Sequence, residues 1–362
     1  MREPGAKSRL LSSDSRTAGL TGAASPLDLR ILSYYPEIRA IQAGAIPFPR
    51  MAILYPVYGC NLDCLGCEYG ADNAKGFVML DSDRFLRLVG ELADVGVEGI
   101  EFCGGGEPTL HPSFIEAVEY GAARGVRFGL LTNGTALVEE FRRRALQHFA
   151  YIRVTLDAAD EETYARVRPA KGRNPWKKVL GNIAGLVEER RRRDLRLDLS
   201  VKVLVSRANR GQLRPAVQLA RDLGVDAIQF KALRLHPAEL TPVEELEVDA
   251  ELAALRAEFP GVGIVGSVRK LAMTRSCMLT PLQVTVDARG DVYLCCYFRH
   301  RAERHAIGNV YDQAFRELWA SDRHRAAIAG IDPGECSALD CRFIRYHDVV
   351  DAWMKDDQFS FI

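Results

Sequence analysis

The sequence predicts an α/β fold: a partial barrel of parallel strands followed by a small C-terminal α+β domain. Three observations lead there. Six short apolar runs, at residues 52–57, 99–103, 126–131, 151–157, 197–205 and 227–233, recur with helical patterns between them. Repeated strand–helix units build a parallel sheet with right-handed crossovers, and six strands are too few to close an eight-stranded barrel. After Leu235 the alternation stops, and five of the nine cysteines lie C-terminal to that point. The chain therefore divides into an N-terminal extension (1–45), a barrel (46–235), and a linker helix with the small domain (236–362).

The helices follow from spacing and caps. Phe85, Leu88, Val89, Leu92 and Val95 recur at helical intervals. Further helical patterns follow Pro112 and cover 27–42, 138–149, 175–193 and 210–223. The run Arg190–Arg193 closes one of them, where cations suit the helix C-terminus. Thr241-Pro242-Val243-Glu244 reads as a capping box with Pro at the first helical position, starting a helix to about residue 259. A hairpin is expected from 282–286 and 292–296 around Arg289-Gly290, and a last helix near 312–328.

Lys+Arg and Asp+Glu number 48 each, so the net charge gives no electrostatic case for nucleic acid or an anionic membrane. No apolar stretch has the length of a membrane span. The charged N-terminus has no apolar segment behind it, as a signal peptide would. A cytoplasmic protein is expected. Nine cysteines there argue for metal or redox chemistry rather than structural disulfides.

Cys60, Cys64 and Cys67 lie within eight residues, directly after the first strand run. Four-iron clusters usually take four cysteine ligands; three on one loop leave one iron open, like the open position of a catalytic metal site. A zinc site needs a fourth ligand from elsewhere and usually pairs two C-x2-C motifs. The pattern C-x3-C-x2-C after a first strand resembles the radical S-adenosylmethionine (SAM) superfamily, whose fold is a partial (β/α)6 barrel. The resemblance implies a [4Fe–4S] cluster on Cys60, Cys64 and Cys67. It implies SAM cleavage to a 5′-deoxyadenosyl radical, fed by an external one-electron donor such as flavodoxin or ferredoxin. One departure stands out. The residue before the third cysteine is usually aromatic in the family, and here it is Gly66, leaving Tyr69 as the candidate adenine contact.

Other barrel motifs agree. Gly104-Gly105-Gly106-Glu107-Pro108 resembles the motif that holds the methionyl amino group, which nominates Gly105, Gly106 and Glu107. Thr132-Asn133-Gly134 ends the third strand run and nominates Asn133; by itself it reads as a turn. By strand alternation Arg153, Thr155 and Asp157 share a face, as do Asp198, Ser200 and Lys202, and Gln229 and Lys231. These faces are expected to line a wet barrel interior, with Thr155 and Lys202 at the SAM carboxylate or ribose. The competing reading turns them to solvent at a frayed edge.

In the C-terminal part, Cys277, Gly290 and Cys295 are followed by Cys336 and Cys341. The spacing resembles the shorter, Twitch type of the SPASM/Twitch auxiliary-cluster domains, as do Ile307-Gly308-Asn309-Val310 and Leu318-Trp319-Ala320-Ser321. The resemblance implies a second [4Fe–4S] cluster on these four cysteines; tetrahedral zinc is the competing metal. Cys103 reads as a core thiol. Cys296 neighbours Cys295 and should point the opposite way, as core, alternative ligand or hydrogen-atom donor.

The expected activity is hydrogen abstraction from an unactivated C–H bond, ending in dehydrogenation or epimerisation. An oxidoreductase or isomerase acting on a small polar, sugar- or aminocyclitol-like metabolite is expected, because the first 45 residues are too short for a peptide-recognition domain. The alternatives are a maturase acting on a peptide or protein side chain, and a non-catalytic iron–sulfur electron carrier.

Overall fold

The computed structural model describes residues 28–269, 277–336, 341 and 343–355. Its strands are β1 (Met51–Leu54), β2 (Val57–Tyr58), β3 (Val78–Met79), β4 (Gly99–Phe102), β5 (Arg127–Thr132), β6 (Phe149–Thr155), β7 (Asp198–Val205), β8 (Ala227–Ala232), β9 (Gly263–Val265), β10 (Gln283–Val286), β11 (Asp291–Tyr293) and β12 (Ala306–Asn309). The six expected barrel strands are β1, β4, β5, β6, β7 and β8, and they pair in that order, all parallel. The first is shorter than its apolar run: it stops at Leu54, and Pro56, which lacks an N–H, precedes a separate β2–β3 pair.

The sheet is wider than the barrel motif alone. β9 adds in parallel to β8, and β10 adds in parallel to β1, with Met51 opposite Gln283 and Leu54 opposite Val286. β11 and β12 continue antiparallel, so the C-terminal hairpin extends the barrel's own sheet. Gly290 sits in the hairpin turn at φ +83°, and a Cβ there would lie 2.6 Å from the Tyr311 ring. The ladder shifts between Val292 and Tyr293, and β11 ends at Tyr293. The backbone N–H of Leu294 then donates to His305 O (3.1 Å) and the chain turns. Cys295 and Cys296 therefore lie in a bend and a turn, which corrects the expected strand of 292–296. The expected last helix is two, Phe315–Trp319 and Asp322–Ala329, because the Ser321 hydroxyl caps the second by accepting from His324 N.

Helices cover the outer face of the sheet. The Ser82–Asp94 helix starts at Asp81, whose side chain accepts from Arg84 N (2.7 Å), and buries Phe85, Leu88, Val89 and Leu92. The Thr241–Glu244 capping box is present, and it opens the Pro242–Glu258 helix. Phe102 stacks on Phe128 (5.5 Å) and meets Phe114 edge-on (4.9 Å), tying β4 and β5 to the helix Phe114–Ala122. Each such buried ring contributes roughly 1.5–3 kcal/mol. The C-terminal segment is fastened to the barrel by Trp319 Nε1, which donates to Pro47 O (2.8 Å), and by Phe315 N, which donates to Glu91 (2.9 Å). Among the described residues no helix is long and apolar enough to cross a membrane.

Candidate active site

The three clustered cysteines occupy the loop that leaves β2. An isolated bridge pairs Leu62 with Ala170, and Cys67 N donates to Cys64 O (3.1 Å) to curl the loop. Donors point at the sulfurs: Leu62 N at Cys60 Sγ (3.4 Å), Asn133 Nδ2 at Cys60 Sγ (3.6 Å) and Asn73 Nδ2 at Cys67 Sγ (4.0 Å). Burial pushes the Cys64 thiol up to about 12, and the Arg168 guanidinium opposes it. Arg168 pulls in the same direction on Cys60 and Cys67. One buried cation thus offsets part of the cost of charging all three sulfurs, although burial keeps each thiol raised.

Close backbone approach shapes the loop. Gly66 has φ +66°, and a Cβ there would meet Leu233 Cδ1 at 2.6 Å. Leu233, just past β8, occupies the space an aromatic side chain at position 66 would need. Tyr69, the expected adenine contact, lies in an aromatic cluster. Its ring packs edge-on to Tyr55 (5.9 Å) and beside Tyr58 (5.8 Å), with the Arg299 guanidinium 4.6 Å from its centre. Arg299 in turn donates to Asp72 (2.5 Å), and Tyr58 donates to Asp287 (2.8 Å). Tyr69 therefore belongs to the seam between the cysteine loop and the C-terminal segment.

The glycine-rich turn follows β4. A Cβ on Gly106 would fall 1.9 Å from Gly59 O, so this glycine lets the turn lie against the strand that leads into the cysteine loop. The Glu107 carboxylate is buried, and burial raises its pKa against the hydrogen bonds it accepts. Those come from Thr109 N (3.2 Å), Thr109 Oγ1 (2.5 Å), Thr132 Oγ1 (2.6 Å) and Asn133 N (2.7 Å). Glu107 clips the turn to the end of β5. Asn133 continues the chain of contacts, donating to Asn61 Oδ1 (2.8 Å) and accepting from Thr135 N (2.9 Å). Its amide braces Cys60 from behind.

Inside the barrel the polar strand faces converge, as expected. Arg153 donates to Ser200 Oγ (3.2 Å) and Gln229 Oε1 (3.1 Å), and Tyr151 donates to Glu101. Toward the strand ends lie Thr155, opposite Lys202, and then Lys231. Burial, and next the neighbouring Lys231, pull Lys202 down to about 8. The carboxylate of Asp157 is engaged by Arg168 (2.5 Å) and Leu204 N (2.7 Å).

The second cysteine set gathers below the hairpin. Cys277, Cys295 and Cys336 are buried and Cys341 is half-buried. Cys336 and Cys341 both raise Cys277, which burial holds near 12. Arg301, His305 and His347 point at these sulfurs, and none of the three was legible as a partner in the sequence. Cys296 is half-buried, and its thiol is close enough to Cys295 to raise it. It packs beside the cluster of Tyr55, Cys103 and Phe298, and its carbonyl accepts from Tyr55 OH (3.3 Å). Among the described residues no group of three or more His, Cys, Asp or Glu converges on a single metal ion. The fit to iron–sulfur clusters rests on the donors and buried cations aimed at both sets of sulfurs.

Two family descriptions match the chain: the radical SAM superfamily over residues 54–199, and an iron–sulfur cluster-binding domain, SPASM, over residues 277–342. The AdoMet-dependent heme synthase of Methanosarcina barkeri is 27% identical over 305 residues, covering 75% of this chain and 82% of that protein. The mycofactocin maturase MftC of Mycobacterium ulcerans is 28% identical over 278 residues, covering 72% of each. In fold, the chain superposes on Streptococcus suis SuiB bound to its precursor peptide SuiA with a TM-score of 0.65 at 12% identity, covering 88% of this chain and 75% of that one. The maturase and heme-synthase relatives overturn the expectation of a small sugar- or aminocyclitol-like substrate. That expectation rested on a short N-terminal segment, and the length of one flanking segment does not limit what a barrel mouth admits.

Proposed function

This chain belongs to the radical SAM superfamily and carries a C-terminal SPASM iron–sulfur domain; from that premise we propose that it is a maturase modifying a peptide or protein side chain. The observation that carries the reading is the likeness to the mycofactocin maturase over most of both chains. The enzyme uses SAM and two [4Fe–4S] clusters, which when bound supply one-electron cleavage of SAM and hydrogen abstraction from an unactivated C–H bond.

The chain's own residues take these roles in the proposal. Cys60, Cys64 and Cys67 hold the cluster that serves SAM, with Asn133 and Arg168 supporting the sulfurs. Gly105 and Gly106 let backbone line the SAM site, and Glu107 fixes that turn. Thr155 and Lys202 receive the SAM carboxylate or ribose. Cys277, Cys295, Cys336 and Cys341 hold the second cluster. An external carrier such as flavodoxin or ferredoxin supplies the electron. Cys296, which packs against the cluster of Tyr55 and Cys103, is the thiol assigned in this proposal to return a hydrogen atom if the outcome is not oxidation.

A second reading has its own observation: the heme-synthase relative matches more residues than the maturase does. One experiment separates the two. The gene is co-expressed anaerobically with candidate short peptides, and the peptides are weighed by mass spectrometry while the lysate is scanned for haem absorption. A peptide mass change that requires Cys60, Cys64 and Cys67 supports the maturase. Haem accumulation with unmodified peptides would replace it with the second reading.

A further inference from the structure

Arg301 is 5% exposed and ends a short 3-10 turn beside the second cysteine set. Its guanidinium donates to Tyr297 O (3.0 Å) and to Cys336 Sγ (3.3 Å), and lies 3.9 Å from Cys295 Sγ. Among the described residues it forms no ion pair with a carboxylate; nearby Glu335 is paired with Arg304. The charge of this buried cation is met by the sulfurs of Cys295 and Cys336 and, beyond them, by Glu335. His347 is buried and its Nε2 sits 3.4 Å from Cys277 Sγ. It belongs to the helix Phe343–Lys355, beyond the residues matched to the SPASM family. His305, also buried, places Nδ1 4.0 Å from Cys295 Sγ. Three of the four sulfurs thus have a histidine ring nitrogen or a guanidinium against them, each from an element other than the cysteine's own turn or helix.

We propose that Arg301 and His347, assisted by His305, are positioning residues that raise the reduction potential of the second cluster. Donors and positive charge at thiolate sulfur stabilise the more negative, reduced core, and both are recognised determinants of cluster potential. The inference rests on the reading that Cys277, Cys295, Cys336 and Cys341 hold that cluster.

The test isolates the second cluster by working in the full chain with Cys60, Cys64 and Cys67 all changed to Ala, reconstituted anaerobically. Iron is counted, and the reduced signal is followed by electron paramagnetic resonance through a redox titration. With the poise fixed at the parent midpoint, Arg301→Gln should lower the reduced-to-oxidised ratio about tenfold, equivalent to about 59 mV. His347→Phe should lower it about threefold. Arg301→Lys, which keeps the charge, should restore most of the Gln variant's loss. Ratios within twofold of the parent in both Arg301→Gln and His347→Phe, with four irons retained, overturn the proposal. If Arg301→Gln sheds iron, His347→Phe decides. If both shed it, the residues hold the cluster rather than tune it, and the proposal falls. A parent without iron would instead refute the assignment of the four cysteines.

Discussion

Arg168 donates to the carboxylate of Asp157 across 2.5 Å, with both side chains buried at the back of the N-terminal cysteine loop. Asp157 adopts φ +58°, a left-handed conformation uncommon for a residue with a Cβ. It is over-determined there: its carboxylate also accepts from Leu204 N and its carbonyl from Asn209 Nδ2 (2.8 Å). The pair orients the one cation that serves all three cysteine sulfurs. Arg168→Met leaves Asp157 buried without counter-charge and should cost about 3–5 kcal/mol. Denaturant unfolding measures this. A loss under about 1 kcal/mol, the centre of the range for ordinary point mutants, would show that the pair does not hold the loop.

Lys202 should give SAM binding a pH dependence. Its ammonium form pairs with a carboxylate, and burial and Lys231 lower it to about 8 in the free enzyme. Below that pH Lys202 is charged and binding is at full strength; above it the charge is lost. Affinity should therefore fall as pH rises, approaching tenfold per unit beyond pH 8. Equilibrium binding is compared between the parent and Lys202→Met, because their ratio cancels titration of SAM itself. A ratio that stays flat from pH 7 to 9 would remove Lys202 from the SAM carboxylate.

Much of the fold and site was readable from the sequence, for identifiable reasons. The six barrel strands are short apolar runs with local punctuation, and the cysteine triplet is contiguous, so both survive without tertiary information. What the sequence hid was non-local. The parallel pairing of Met51 with Gln283 joins residues 232 apart, and no local pattern encodes such a register. Leu294, Cys295 and Cys296 look like strand because they are apolar, yet the ladder bulge at Val292 and Tyr293 ends β11 before them. Leu233 beside Gly66 and Arg301 beside Cys336 are contacts only the fold creates. The packing of Tyr69 with Tyr55, Tyr58 and the Arg299 guanidinium is likewise a contact only the fold creates.

Cys296 can be assigned by one substitution. Cys296→Ala should leave both clusters and SAM cleavage intact, since the side chain packs against the cluster of Tyr55 and Cys103 and is not among the four cysteines assigned to the second cluster. With a modified peptide in hand, a stalled or diverted product would identify the thiol as the hydrogen source. An unchanged product, with about 1 kcal/mol lost in stability, would assign it to packing and leave oxidation as the outcome.

The central claim is that Cys60, Cys64 and Cys67 together hold the cluster at which SAM is cleaved. The most direct measurement compares the anaerobically reconstituted parent with the variant carrying all three as Ala, assayed with SAM and a low-potential reductant for 5′-deoxyadenosine and for iron. The account predicts that the variant loses about four irons, keeps those of the second set, and forms no 5′-deoxyadenosine. Continued 5′-deoxyadenosine formation by the triple variant would contradict it.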